Sequence, residues 1–231
     1  MKKSLFAALG IACAAAVALP MIAEDLPITA EEQKALTPDA VLEDLMEGNA
    51  RFVAGEQTVR DIKASIKAAS TGQFPQAVIL SCLDSRVPVE DVFDQGIGDI
   101  FVGRVAGNVE NVDQLGSMEF AAAAAGVKLI VVLGHEACGA VMGACDNVEL
   151  GNLTELLAKI KPAIESVEGY EGERTSKNAA FVNDVIHANV KQTVADIRER
   201  SEVLAGMEAE GKIKIVGAFY SLQDGSVTLV E

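Results

Sequence analysis

The sequence predicts an α/β fold with a largely parallel central sheet flanked by helices. Short apolar runs bounded by turn formers, Ala77–Ser81, Ile100–Val105 and Leu129–Leu133, have the length and composition of buried strands. Around them lie longer segments whose apolar residues recur at helical spacing, and strands alternating with helices build a parallel sheet. The 231 residues, half of them hydrophobic, suffice for one such domain with a sizeable core. No internal repeat, linker or second domain is visible.

The chain opens on a basic pair, Lys2-Lys3, an apolar run from Leu5 to Leu19, and a cleavage-like Met21-Ile22-Ala23 before acidic Glu24-Asp25. The run is too short for a comfortable membrane span, so residues 1–23 read as a signal peptide and 24–231 as the single mature domain. The expected location is an exported one, the periplasm first, with no membrane attachment after cleavage. Gly10-Ile11-Ala12 before Cys13 makes a poor lipoprotein site. The net charge of −15, or −17 once the two lysines are removed, argues against nucleic acid and anionic membranes as partners. Cleavage leaves Cys82, Cys138 and Cys145, an odd set that suits two metal-held thiols and a spare better than a disulfide framework.

The mature chain then reads in order. Thr37-Pro38-Asp39 starts a helix, with Thr as cap and Pro at the first helical position, and it runs on through Val53. Ile62–Ala69 forms a second short helix, broken at Thr71-Gly72. Pro88–Asp94 makes a helical turn after the first strand. Asp113 caps a helix that continues into the alanines of 121–125, whose small side chains permit close packing. Gly139–Ala144 and Leu153–Ser166 are helical, 168–177 is a polar loop, and Asn178–Leu204 is one long amphipathic helix. His187 falls with Asn183 and Lys191 on its polar face and reads as solvated. Ile213–Tyr220 and Val227–Val230 close the chain as strands joined at Asp224-Gly225.

Two of these strands end in chemistry. The first runs into Cys82-Leu83-Asp84-Ser85-Arg86 and the third into Gly134-His135-Glu136-Ala137-Cys138-Gly139. Parallel strands deliver side chains to one crevice at their carboxyl ends. Cys82, His135 and Cys138 would meet there as a Cys₂His set, which suits catalytic Zn²⁺ with one position open. A redox cysteine pair is the rival chemistry, but no Cys-x-x-Cys occurs. A Cys–His nucleophile is a second rival, weakened by the second thiol. Asp84 and Arg86, two apart, share a side of an extended chain, and an Arg fork would orient the carboxylate and keep it ionised.

The paired motifs resemble those of the β-class carbonic anhydrases. The likeness continues through Gly48-Asn49-Ala50-Arg51-Phe52, Arg104-Val105-Ala106-Gly107-Asn108 and Val216-Gly217-Ala218-Phe219-Tyr220, over nearly all of the mature chain. The resemblance implies reversible hydration of carbon dioxide to bicarbonate. Its ligands would be Cys82, His135 and Cys138, joined by Asp84 only in a closed form, with Asp84 and Arg86 as the catalytic pair. It implies a homodimer or higher even-numbered oligomer with active sites at the subunit interface. Gln73, nine before the first ligand, stands where a partner's Gln binds bicarbonate. Phe101 matches an apolar wall residue, and Gly139 is expected among the substrate-binding positions. Phe120 occupies a place where plant-like members carry Tyr. A subgroup with a regulatory bicarbonate site uses a Trp; this chain has none, although Arg104 stands at that site's Arg position.

Two other functions compete with hydration. One is a hydrolase of CS₂ or carbonyl sulfide on the same fold, and the other a non-enzymatic zinc-binding or sensing module. The charge count also sets a pH expectation. Two thiolates neutralise the zinc charge, so its water ionises at higher pH than beneath three histidines, and activity should rise from neutral into alkaline pH.

Overall fold

The computed structural model describes residues 26–231; the signal peptide read over residues 1–23 lies outside them. The chain runs α1 (Ala30–Ala35), α2 (Pro38–Ala54), α3 (Ile62–Ala69), β1 (Ala77–Ser81), α4 (Val89–Val92), β2 (Ile100–Arg104), α5 (Val112–Glu119) and β3 (Leu129–His135). It continues through α6 (Gly139–Cys145), α7 (Gly151–Ala158), α8 (Lys161–Ser166), α9 (Ala179–Arg200), α10 (Glu202–Ala209), β4 (Lys214–Tyr220) and β5 (Val227–Val230). The sheet order is β2-β1-β3-β4-β5, parallel except for the last pair. No helix among the described residues is long and apolar enough to cross a membrane.

The inner strands β1 and β3 are buried along their whole length because helices cover both of their faces. Ala77, Ile79, Leu129, Val131 and Leu133 pack on Val41 and Leu45 of α2 and Val89 and Val92 of α4. Their neighbours Val78, Leu80, Ile130 and Val132 point the other way, onto Leu115 and Met118 of α5 and Val190, Val194 and Ile197 of α9. This is the period-2 alternation of a pleated strand, buried on each side.

Helix α9 lies very close to the sheet. A Cβ at Gly134 would stand 2.6 Å from Val190 Cγ2, and one at Gly217 would stand 2.6 Å from Val190 Cγ1. Only glycine at these two neighbouring strand positions lets Val190 press against the backbone. On the opposite face, Asn49 of α2 donates to the carbonyls of Val92 and Gly225 and accepts from the N–H of Val227, at 2.8–3.0 Å. One buried amide thereby ties α2 to α4 and to the β4–β5 turn.

Several elements depart from the sequence reading, each for a local reason. The helix expected over Leu153–Ser166 is two helices. Pro162 has no N–H to return to Ala158, and the chain breaks at Lys159 and Ile160, with Ile160 fully buried. The long helix expected to Leu204 ends at Arg200. Ser201 is extended there, and its hydroxyl accepts from Leu204 N and donates to Glu119 Oε1, capping α10. Asn111, not Asp113, caps α5, accepting from the N–H groups of Asp113 and Gln114. The alanine run is a single wide π-helical turn, Phe120–Ala124.

Candidate metal centre

β1 and β3 pair in register with Ser81 opposite Leu133. The chain therefore leaves β1 at Cys82 just where β3 runs on for two more residues to His135. A turn through Ala137, at φ 51°, then brings Cys138 back to the N-terminus of α6. The Sγ atoms of Cys82 and Cys138 lie 3.9 Å apart, and the ligating atoms of Cys82, His135 and Cys138 all fall within 4.8 Å of one another. All three residues are buried, and all three described cysteines are free thiols.

The donor set fits a zinc ion. Two thiolates about 2.3 Å from a tetrahedral zinc stand roughly 3.8 Å apart. His135 Nδ1 lies 2.9 Å from the Glu136 carbonyl, which assigns its proton to that side. The other nitrogen, Nε2, is buried with no hydrogen-bond partner, an orphan lone pair at the centre of the cluster. The sulfurs carry the same message. A hydrogen bond from Cys138 pulls the Cys82 thiol far below its ordinary value, while the same bond and burial push Cys138 up. Two buried sulfurs this close cannot both ionise until a cation shares the space.

Asp84 borders the cluster without joining it. Its Oδ1 accepts from Arg86 Nε and from the Arg86 backbone N–H, both at 2.9 Å, and its Oδ2 accepts from Arg86 Nη2 at 2.7 Å. The Arg86 fork holds the carboxyl well below the usual carboxylate range. Oδ2 also stands 3.8 Å from His135 Nε2, on the rim of the cluster. Arg104 donates from Nε to the Cys82 carbonyl and from Nη2 to the carbonyls of Asp84 and Val87. It clamps the loop that carries Asp84.

The remaining expected residues lie elsewhere. Gln73 is exposed in the loop before β1, at the end of the strand opposite to Cys82. Phe101 pairs with Val78, four residues and roughly 13 Å along the strand from Cys82. It lines a groove of about 760 Å³ beside β2, the outer strand, with Arg104, Val112, Gln114 and Phe120. Phe120 is 58% exposed, its ring centroid 6.4 Å from that of Phe101. Gly139 opens α6 next to Cys138 and is exposed. His187 is half-buried, not fully solvated as its helical position suggested. It sits edge-on to Phe219 at 4.6 Å, with Nε2 buried and unpartnered.

Comparison with known proteins agrees with this geometry. The carbonic anhydrase family profile matches residues 77–227. Carbonic anhydrase 2 of Mycobacterium tuberculosis is 40% identical over 202 residues, covering 83% of this chain and 92% of its own. The β-carbonic anhydrase CafA of Aspergillus fumigatus superposes with a TM-score of 0.62 at 25% identity, covering 84% of this chain and 90% of its own. One of two tetrameric β-carbonic anhydrases of Sordaria macrospora shares the fold, with a TM-score of 0.63 at 24% identity and coverage of 83% and 97%. These likenesses and the Cys–His–Cys cluster at the sheet's carboxyl end define a zinc lyase of the α/β class. The chain belongs to the carbonic anhydrase family, in its β class, and is an enzyme of reversible carbon dioxide hydration.

Proposed function

We propose that hydration runs on one zinc ion per chain held by Cys82, His135 and Cys138, with Asp84 and Arg86 as the catalytic pair. The orphaned His135 Nε2 between two sulfurs 3.9 Å apart carries this reading. Zinc bound there supplies the Lewis acidity that makes a hydroxide nucleophile available from water. The protein's own part is orientation. Ionised Asp84 can only accept a hydrogen bond, so it aims the nucleophile's O–H at itself and leaves a lone pair for carbon. Arg86 keeps Asp84 ionised and engages both of its oxygens, which holds the carboxylate off the metal, so the open form is the working one. Carbon dioxide carries no charge to grip and needs an apolar wall, whereas the product needs donors. Gly139 and Gln73 are assigned to the product.

Neither Gln73 nor Phe101 reaches the crevice of its own chain, which supports a shared site. A second copy seated on the groove beside β2 would cover Val112 and Phe120, 74% and 58% exposed, and bring Phe101 and Gln73 to its neighbour's zinc. The minimal unit is a homodimer, with larger even-numbered assemblies built on it. The domain of residues 24–231 works in an exported compartment, the periplasm first, after loss of the leader.

Metal analysis with stopped-flow hydration tests the ligand set. Cys82→Ser, Cys138→Ser and His135→Ala should each lose most of the zinc and activity, while Cys145→Ser keeps both. Zinc lost from Cys145→Ser alone would overturn the assignment.

A further inference from the structure

Gly107 stands where two distant parts of the fold meet at Cys82. Its N–H donates to Cys82 Sγ at 3.4 Å, and its carbonyl accepts from Asn189 Nδ2 at 2.8 Å. The backbone is left-handed there, at φ 73° and ψ 14°. A Cβ would meet Ile160 Cδ1 at 2.8 Å and Ala140 Cβ at 3.3 Å. Position 107 thus demands glycine twice over, by conformation and by space. What holds its peptide in place is the amide of Asn189.

Asn189 is itself unusual. It is 1% exposed on α9, among Val185, Ile186 and Val190 of the same inner face. Burying an amide is costly unless it is hydrogen-bonded, and a leucine of similar volume would serve packing better. The amide is spent instead on one loop carbonyl, 82 residues away.

The geometry points to Asn189 as a positioning residue for the metal centre: by holding Gly107, it keeps an N–H on the Cys82 sulfur and so limits how strongly that thiolate donates to the metal. This rests on the zinc assignment above. An N–H bonded to a thiolate withdraws charge from sulfur, and outer hydrogen bonds of this kind tune a bound metal. A thiolate that donates less leaves the cation more electropositive, which acidifies water more strongly. The neutral charge of a two-thiolate zinc makes such relief valuable. Residue and centre are linked through one residue, the two peptide groups that flank the Gly107 Cα, with no contact between them.

Cobalt substitution tests this without relying on activity. Native protein and Asn189→Leu are each loaded with Co²⁺ in place of zinc. In the variant, the thiolate-to-cobalt absorption band should move to longer wavelength at unchanged stoichiometry, because an unbonded sulfur holds its electrons less tightly. In the zinc enzymes, the pH of half-maximal hydration should rise by roughly half a unit to one unit. An unchanged band and pH profile in a metal-loaded variant would overturn the role of Asn189 and leave the centre standing. Native protein that takes up no cobalt would overturn both. If Asn189→Leu does not fold, native protein loaded with ¹¹³Cd replaces it. A scalar coupling between the metal and the Gly107 amide proton is then expected, and its absence rejects the hydrogen bond on which everything depends.

Discussion

Arg86 joins the two loops of the site, since its fork ends on Asp84 while Nη2 also reaches the Ala137 carbonyl at 3.4 Å. Arg86→Ala should keep zinc yet lose hydration roughly a hundredfold or more, because a loosely placed carboxylate no longer aims the nucleophile. Metal content with stopped-flow rates decides it, and a fully active variant would remove Arg86 from the mechanism. The Arg86 fork also holds the Asp84 carboxyl well below the usual carboxylate range. Asp84 stays ionised at and above neutrality, so a rise of activity into alkaline pH belongs to the nucleophile. His187 gives a separate prediction for stability. Burial lowers its pKa below the ordinary 6.5, with Asp184 pulling it up and Lys191 down. The unfolded chain therefore takes up this proton first, and stability falls as pH drops through 6.5 towards the lowered value. His187→Gln should flatten that slope in denaturant titrations from about pH 7 to 5; an unchanged slope would assign the acid sensitivity elsewhere.

Helix α9 and the sheet interlock at Val190. Gly134→Ala should destabilise by about 1–3 kcal/mol, since its methyl must displace Val190. Val190→Ala should recover part of this in the double variant, a coupling that denaturant midpoints can measure. Simple additivity would place the strain elsewhere. Elements of this kind show what was legible beforehand. Ala77–Ser81, Ile62–Ala69 and Val227–Val230 match the reading because turn formers and capping groups lie beside them in sequence. The ends of α7 and α9 were missed for different reasons. Pro162 is local but was outweighed by apolar spacing, whereas Ser201 breaks the helix with help from Glu119, 82 residues distant. The short α1 was also missed. Its Thr29–Glu32 capping box is local, but little of the helix is buried and no apolar stripe announces it.

Across the whole molecule, the Cys82, His135 and Cys138 cluster was readable because strand ends carry their own motifs. Asn189 and the Arg104 clamp were not, since their partners are backbone atoms that no spacing marks. The proposed dimer sets two opposed terms against each other. An apolar groove favours contact, while each copy of the full sequence carries a net charge of −15, and like charges repel. Added salt should tighten assembly as the Debye length shrinks to about 8 Å at physiological ionic strength. Phe120→Asp should dissociate it and lower hydration with zinc retained. Sedimentation across a salt series tests both; a fully active monomer would refute the shared site.

Asn49 adds a consequence for how the chain is made. Two of its three hydrogen-bond partners lie 176 and 178 residues further on, in Gly225 and Val227. A ribosome that has not yet released those residues holds a nascent chain whose α2 still carries an unmet buried amide. Non-local closure of this kind is slow and comes late. The clasp around Asn49 therefore closes only after residues 225–227 have left the ribosome, and α2 docks for good at that moment.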